Sequence, residues 1–294
     1  MKNFNKIYEE VYKECNVELE ELRNKSVKRT IVWIIIFMIL GLILGAIFEY
    51  MIFIIFIIPA ITIFAFSTKE RKRYNSVFKT KVIKKFIKEY SKDLDYRPTM
   101  GMPQVTYAKG MFETYDNYYS EDLIMGALEG GYPIKMAEVK TEIETTDSEG
   151  DKTTHTLFHG LFAEVQLGKM INANMKIRRN NISLFNKKYR VEMDSSEFEK
   201  FFNVYATNKI ITMQLLTSDI MELLMNFVKQ NRIVPEITLE GSKFYIRFHT
   251  GDVFEAKLMK KALDYGTLKK YFDIINFTLT LTEKFLKNIH ETEI

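Results

Sequence analysis

The chain has 294 residues, a formal charge of +4 and a mean hydropathy of −0.13, long enough for one or two domains with a real core. A single cysteine, Cys15, excludes an intramolecular disulfide and with it the disulfide-stapled secreted domains. The moderate mean hydropathy averages one very apolar stretch with a polar remainder.

Over residues 1–29, Phe4, Ile7, Val11, Cys15, Leu19 and Leu22 recur three or four apart, the spacing of an amphipathic helix. Its polar face is acidic, with Glu9, Glu10, Glu14, Glu18, Glu20 and Glu21. From Thr30 to Phe48 the sequence TIVWIIIFMILGLILGAIF carries no charge. At 1.5 Å per residue, these roughly nineteen residues span a hydrocarbon core of about 30 Å. After Glu49 and Tyr50 a second apolar run, MIFIIFIIPAITIFAF, extends from Met51 to Phe66. The two runs predict a transmembrane helical hairpin over 30–66, with the Gly41/Gly45 step either packing one helix against the other or marking a dimer face. A basic helix is expected over 67–95. Tyr74, Phe78, Val82, Phe86 and Tyr90 recur every four residues among Lys79, Lys81, Lys84, Lys85, Lys88 and Lys92.

A tight hairpin makes its helices antiparallel, so their extensions should lie side by side as a stalk. That register sets Glu20 opposite Lys79, Glu18 opposite Lys81 and Glu14 opposite Lys85. Each exposed pair is worth about 0–1 kcal/mol, so the charges select register more than they stabilise. Lys28 and Arg29 precede the first run, and Lys69, Arg71, Lys72 and Arg73 follow the second. The positive-inside rule then predicts a cell-membrane protein of two spans with both termini cytoplasmic. The same six basic residues are candidates to face anionic lipid headgroups.

The remainder, 96–294, reads as a cytoplasmic α+β domain. Pro98, Gly101 and Pro103 mark a linker. The aromatic and acidic stretch from Tyr107 to Tyr132 is expected to be irregular with one short helix. MAEVKTEIETT and THTLFHGLFAEVQL alternate with period two around the polar DSEGD turn, which predicts a long β-hairpin. Further strands are expected at Asn174–Ile177 and Tyr189–Met193. A short helix capped by Ser195 or Ser196 follows, then a stronger one after Thr217. PEITLEG, SKFYIRFHTG and DVFEA read as a meander turning at Gly241 and Gly251, and a helix from about Thr267 to His290 closes the chain. Segregated strands and helices argue α+β with a mainly antiparallel sheet.

The run TEIETTDSEGDKTTHTLFHGLFAEV, followed in order by FEKFFNVYATN, LLTSDIMELL, FYIRF and VFEA, resembles a bacterial family catalogued as domain of unknown function 3137. Its strongest marker here is Phe158-His159-Gly160-Leu161-Phe162 after a polar turn. The resemblance implies a pair of transmembrane helices before the domain and a LemA-type membrane protein as partner. It brings no catalytic residues to carry over.

No phosphate-cradling loop, nucleophile elbow or nucleic-acid module is present, so no catalytic residue, cofactor or nucleic-acid partner is assigned. His155, His159 and Glu164 share a strand, with His249 elsewhere. Two residues four apart on a strand lie about 13 Å apart, too far for one metal, so no metal ligand is assigned. Tyr115, Tyr118 and Tyr119, with the face carrying Tyr245 and Arg247, form a candidate recognition surface, since Tyr and Arg are enriched at interfaces. The expected function is therefore a membrane-anchored, cytoplasm-facing binding or scaffold module with a protein partner, or a homo-oligomer. The alternatives are a hydrolase-like membrane enzyme and a pleckstrin-like headgroup reader, the latter requiring seven strands that close on themselves.

Overall fold

The computed structural model describes residues 3–47, 71–180 and 187–291. They form two units. One joins the described residues of Met1–Tyr90 to Phe254–Lys269, and the other joins Ser91–Val253 to Lys270–Ile294.

In the first unit, helix α1 runs from Phe4 to Ile47. A second helical segment begins at residue 71, passes through a π-helical turn at Phe78–Ile83 and ends as α2, Lys84–Tyr90. The apolar stripe of α1 is buried at Phe4, Ile7, Val11, Cys15 and Leu19, as is that of the second segment at Tyr74, Phe78, Val82 and Phe86. The rings of Phe4 and Phe86 sit 5.7 Å apart. Lys81 lies 2.6 Å from Glu18, and Lys85 pairs with Glu14.

The third expected pair is corrected. Lys79, only 7% exposed, lies 2.6 Å from Glu255, while Glu20 accepts from Arg23 and from the backbone N–H of Ala262. Residues 255–262, remote in sequence, return to this unit and take up both partners. The register of two helices does not contain this third segment.

Among the described residues no helix is long and apolar enough to cross a membrane, so the expected hairpin has no support there. The second apolar run, the Glu49–Tyr50 turn, Pro59 and Lys69 lie outside the described residues, and so does any helix that Gly41 and Gly45 would pack against in the hairpin. Where α1 is described, Ile31, Val32, Ile34, Ile35, Ile36, Met38 and Ile39 are 39–62% exposed.

The second unit is α+β, with a seven-stranded antiparallel sheet. Its strands are β1 (Leu94–Arg97), β2 (Asn117–Ala127), β3 (Pro133–Thr146), β4 (Lys152–Arg179), β5 (Arg190–Val191), β6 (Phe202–Ala206) and β7 (Glu236–His249). Strand β4 carries 28 residues. Its first half pairs with β3 on one edge and β7 on the other, and Met175–Ile177 pair with β6 and β7. The path β1-β2-β3-β4-β6-β5 does not return on itself among the described residues, so the closure that a pleckstrin-like barrel requires is not seen.

Period-two alternation gives this sheet two apolar faces. Leu161, Ala163, Val165, Phe244, Ile246 and Phe248 point one way and are buried. They lie under α6 (Ser218–Asn231) and α7 (Tyr265–Glu291), where Phe227 and Phe277 stack at 4.0 Å and Phe244 meets Phe285 at 4.9 Å. Helices α4 (Ser196–Glu199) and α5 (Lys209–Leu215) are capped by the Ser195 hydroxyl and the Asn208 side chain, each satisfying an N–H of the first turn. On the other face, Val139, Phe158 and Phe162 pack with Tyr245 beneath α3 (Gln104–Ala108).

Three expectations change. The aromatic stretch contains β2, whose tyrosines suit a pleated, half-buried surface. The meander is one continuous strand, β7: Gly241, at φ +56, kinks it rather than turning it, and 250–256 form a loop. The basic helix stops at Tyr90, and residues 94–97 pair as β1.

Replacing Leu19, fully buried in the helical seam, by Ala should lower stability by about 2–5 kcal/mol. Lys81→Ala should cost less than about 1 kcal/mol. Thermal melting of the two purified variants separates these values, and equal losses would show that the rim charges, not the seam, hold the helices together.

Candidate functional site

Two polar groupings lie in the sheet unit. The first is buried around Arg247, which is 6% exposed. Its Nε donates to Glu236 at 2.7 Å, its Nη1 donates to the Tyr107 hydroxyl at 2.8 Å, and it pairs with Glu113. The guanidinium lies 4.4 Å from the ring centre of Phe112 and 4.8 Å from that of Phe158. Tyr107 donates to Glu113 at 2.5 Å, and Thr141 donates to the same carboxylate at 3.0 Å. Arg178 stacks on Phe112 at 4.6 Å and donates to the Thr238 hydroxyl at 2.8 Å. That hydroxyl in turn donates to the Gly110 carbonyl.

Electrostatics follow from this enclosure. Burial alone would pull Arg247 down, but Glu236, Tyr107 and Glu113 outweigh it and hold the group above its ordinary value. Arg178 is pushed down to about 10, chiefly by burial, and remains a cation at neutral pH. Burial raises the Tyr107 hydroxyl, so it stays a neutral relay between acid and guanidinium. With both cations and both acids paired, this grouping fastens residues 107–115 to the sheet and offers no reactive atom.

This is why the expected recognition face is corrected. Tyr245 and Arg247 do share a face of β7, but the segment 102–115 covers it and buries both. Tyr115 and Tyr118 pack partly buried against the same cluster, Tyr118 donating to the Met102 carbonyl at 2.8 Å. Tyr119 is 55% exposed, with the Lys140 ammonium 6.0 Å from its ring. The basic residues Lys28, Arg29, Arg71, Lys72 and Arg73 are exposed.

The second grouping surrounds Glu138. On β4, Phe158 and Phe162 of the Phe-His-Gly-Leu-Phe run point into the covered face, and His159 and Leu161 point the other way. At Gly160 β7 runs very close, since a Cβ there would stand 1.9 Å from the Phe248 carbonyl oxygen. That approach lets the Gly251 N–H donate to the His159 carbonyl and brings Asp252 to the imidazole. His159 Nε2 lies 2.9 Å from Glu138 and 3.4 Å from Asp252, while the other Glu138 oxygen accepts from the Val253 N–H at 2.7 Å. Glu121 and Asp122 bring carboxylate oxygens within 4.8 Å of Glu138. Asp122, buried at φ +61 in a bulge of β2, accepts from the Tyr96 hydroxyl. Burial lifts the Glu138 carboxyl above its ordinary value, against the hydrogen bonds from His159 and Val253.

The remaining candidates are dispersed. His155 is exposed on β4, Glu164 pairs with Lys243 at 2.5 Å, and His249 lies 3.9 Å from Glu236. Reading ligands along one strand therefore missed Glu138 and Asp252. Glu138 is a diagonal neighbour of His159, because Lys140 is its direct cross-strand partner and residues two apart share a face. The hairpin register, once fixed from the DSEGD turn, contains that pairing.

Arg247→Ala should destabilise the protein by about 3–5 kcal/mol, because it strands Glu113 and Glu236 without a cation. Denaturant melts would test this, and a loss under 1 kcal/mol would show that the acids are already satisfied. Burial, then Arg247, depresses His249 below its ordinary 6.5, against Glu236 and Glu113, with Arg179 adding to the depression. The unfolded chain therefore binds the proton more readily, so stability should fall as pH drops below about 6.5. His249→Gln should flatten that part of the pH–stability curve.

A family described as "Protein of unknown function (DUF3137)" matches residues 156–287, from within β4 through most of α7. No curated protein matches the chain. Among solved structures, the crystal structure of the mycobacterial trehalose monomycolate transport factor A, TtfA, is similar at 8% identity and a TM-score of 0.38, over 67% of this chain and 86% of that chain.

Proposed function

We propose that this chain is a membrane-tethered binding module, crossing the membrane twice with both termini cytoplasmic and presenting its α+β domain to a partner there. The observation that carries the reading is the exposed apolar stretch of α1: seven large side chains between Ile31 and Ile39 face solvent directly after Lys28 and Arg29. At about 25 cal/mol per Å² of apolar surface, leaving such a run in water is costly, and a hydrocarbon phase removes the cost. The sequence continues apolar to Phe66, and Arg71, Lys72 and Arg73 follow, the charge asymmetry of an outward loop and inward ends.

Binding rather than turnover is favoured by the Arg247 centre. Its charges are paired internally and fix a covering segment, which builds a rigid surface in place of a reactive cleft. The LemA-type membrane protein implied by the family resemblance is the first partner to test.

In intact cells, a Cys15→Ala chain carrying Tyr50→Cys should react with a membrane-impermeant maleimide. A second chain with Cys15→Ala and Met259→Cys, at a 95% exposed position, should react only after lysis. Alkaline carbonate should leave the protein in the membrane pellet. Release into the supernatant, or equal labelling of both cysteines in intact cells, would overturn the topology.

A further inference from the structure

We infer that Glu138, His159 and Asp252 form a binding site for a divalent transition-metal cation, tying the end of β7 to the β3–β4 hairpin. The three donors come from β3, β4 and the loop after β7, and their ligand atoms all lie within 4.8 Å of one another. The imidazole Nε2 stands 2.9 Å from one carboxylate oxygen and 3.4 Å from the other. Those separations suit neighbouring ligands on one ion, since bonds of about 2.0–2.2 Å to nitrogen and oxygen place adjacent donors roughly 2.8–3.6 Å apart.

Charge argues the same way. Glu138 and Asp252 flank the imidazole, and Glu121 and Asp122 bring carboxylate oxygens within 4.8 Å of Glu138. Nε2 would ligate as a neutral imidazole nitrogen and the carboxylates as anions, the donor states a metal ion requires. One imidazole with carboxylates is a borderline-hard donor set, suited to Zn2+ or Mn2+ over the all-oxygen preference of Ca2+ and Mg2+.

The site is also shaped by the backbone. Any side chain at position 160 would collide with the Phe248 carbonyl and Thr250, pushing away the loop that carries Asp252. The glycine of the Phe-His-Gly-Leu-Phe run thus has a role beside the histidine: it brings the third donor within reach. Asp252 is 55% exposed and Glu138 only 9%, so one side of the ion would stay open to water. The cation site stands whether or not the chain spans a membrane.

The test uses full-length, untagged protein in detergent, stripped with chelator and titrated with Zn2+ by calorimetry, with bound metal counted by elemental analysis after dialysis. One Zn2+ per chain is expected. His159→Gln and Asp252→Asn should each weaken binding at least tenfold, while His155→Gln, on the same strand but outside the cluster, should leave it unchanged. Because Asp252 is exposed, its variant should keep the parent melting temperature without metal. Co2+ should give visible d–d bands in the parent that are lost in both site variants. Absence of stoichiometric Zn2+, unchanged affinity in the site variants, or an equal loss in His155→Gln would overturn the assignment.

Discussion

A strand of 28 residues must find hydrogen-bond partners for its backbone along its whole length, because an unpaired buried amide or carbonyl costs as much as a lost bond. Strand β4 meets this demand by taking two successive partners on one edge, β3 and then β6, and one continuous partner, β7, on the other. Drawn straight it would reach about 90 Å at 3.3 Å per residue, beyond the width of a domain of this size. The pair therefore bends, with register shifts between Gln166 and Met175 and left-handed glycines at 168 and 241. The covering helices, the covering segment 102–115 and both polar groupings all take their positions from this ribbon.

The polar groupings differ in what burial does to them. Around Arg247 every charge has a partner and an aromatic ring beside it, so the low local dielectric strengthens the contacts it encloses. A well-packed apolar cluster of the same volume would serve stability as well or better. What the ionic version adds is a unique seating for residues 107–115, since a shifted segment would leave a buried guanidinium bare. Around Glu138 carboxylates and one imidazole converge, and part of the group meets solvent. One arrangement locks and the other can accept.

Legibility in the sequence tracked how local each determinant was. The β3–β4 hairpin was readable because its alternation is long and its turn is polar. The cap at Ser195 was readable because a cap is decided within four residues, whereas the Thr217 hydroxyl precedes its helix but donates to Asp219 and caps no N–H. Strand β2 was not: its tyrosines and acids alternate weakly, and its burial depends on α3 above it. Gly241 read as a turn because sequence cannot distinguish a glycine that reverses a strand from one that bends it. The face shared by Tyr245 and Arg247 was identified, yet its cover comes from 130 residues earlier. Lys79 and Glu20 likewise meet a loop more than 170 residues away, which no helix-to-helix register contains.

That loop has a consequence for how the molecule is made. Residues 254–269 complete the unit that the first ninety residues begin, so the N-terminal helices leave the ribosome long before the segment that takes up Lys79 and Glu20. During that interval Lys79 and Glu20 lack their contacts with Glu255 and Ala262, and the apolar seam with its rim pairs Glu18–Lys81 and Glu14–Lys85 holds the two helices together. Synthesis that stopped within β7 would leave the first unit permanently open. Closure by residues 254–269 makes completion of the first unit conditional on a segment synthesised only after the last strand, β7.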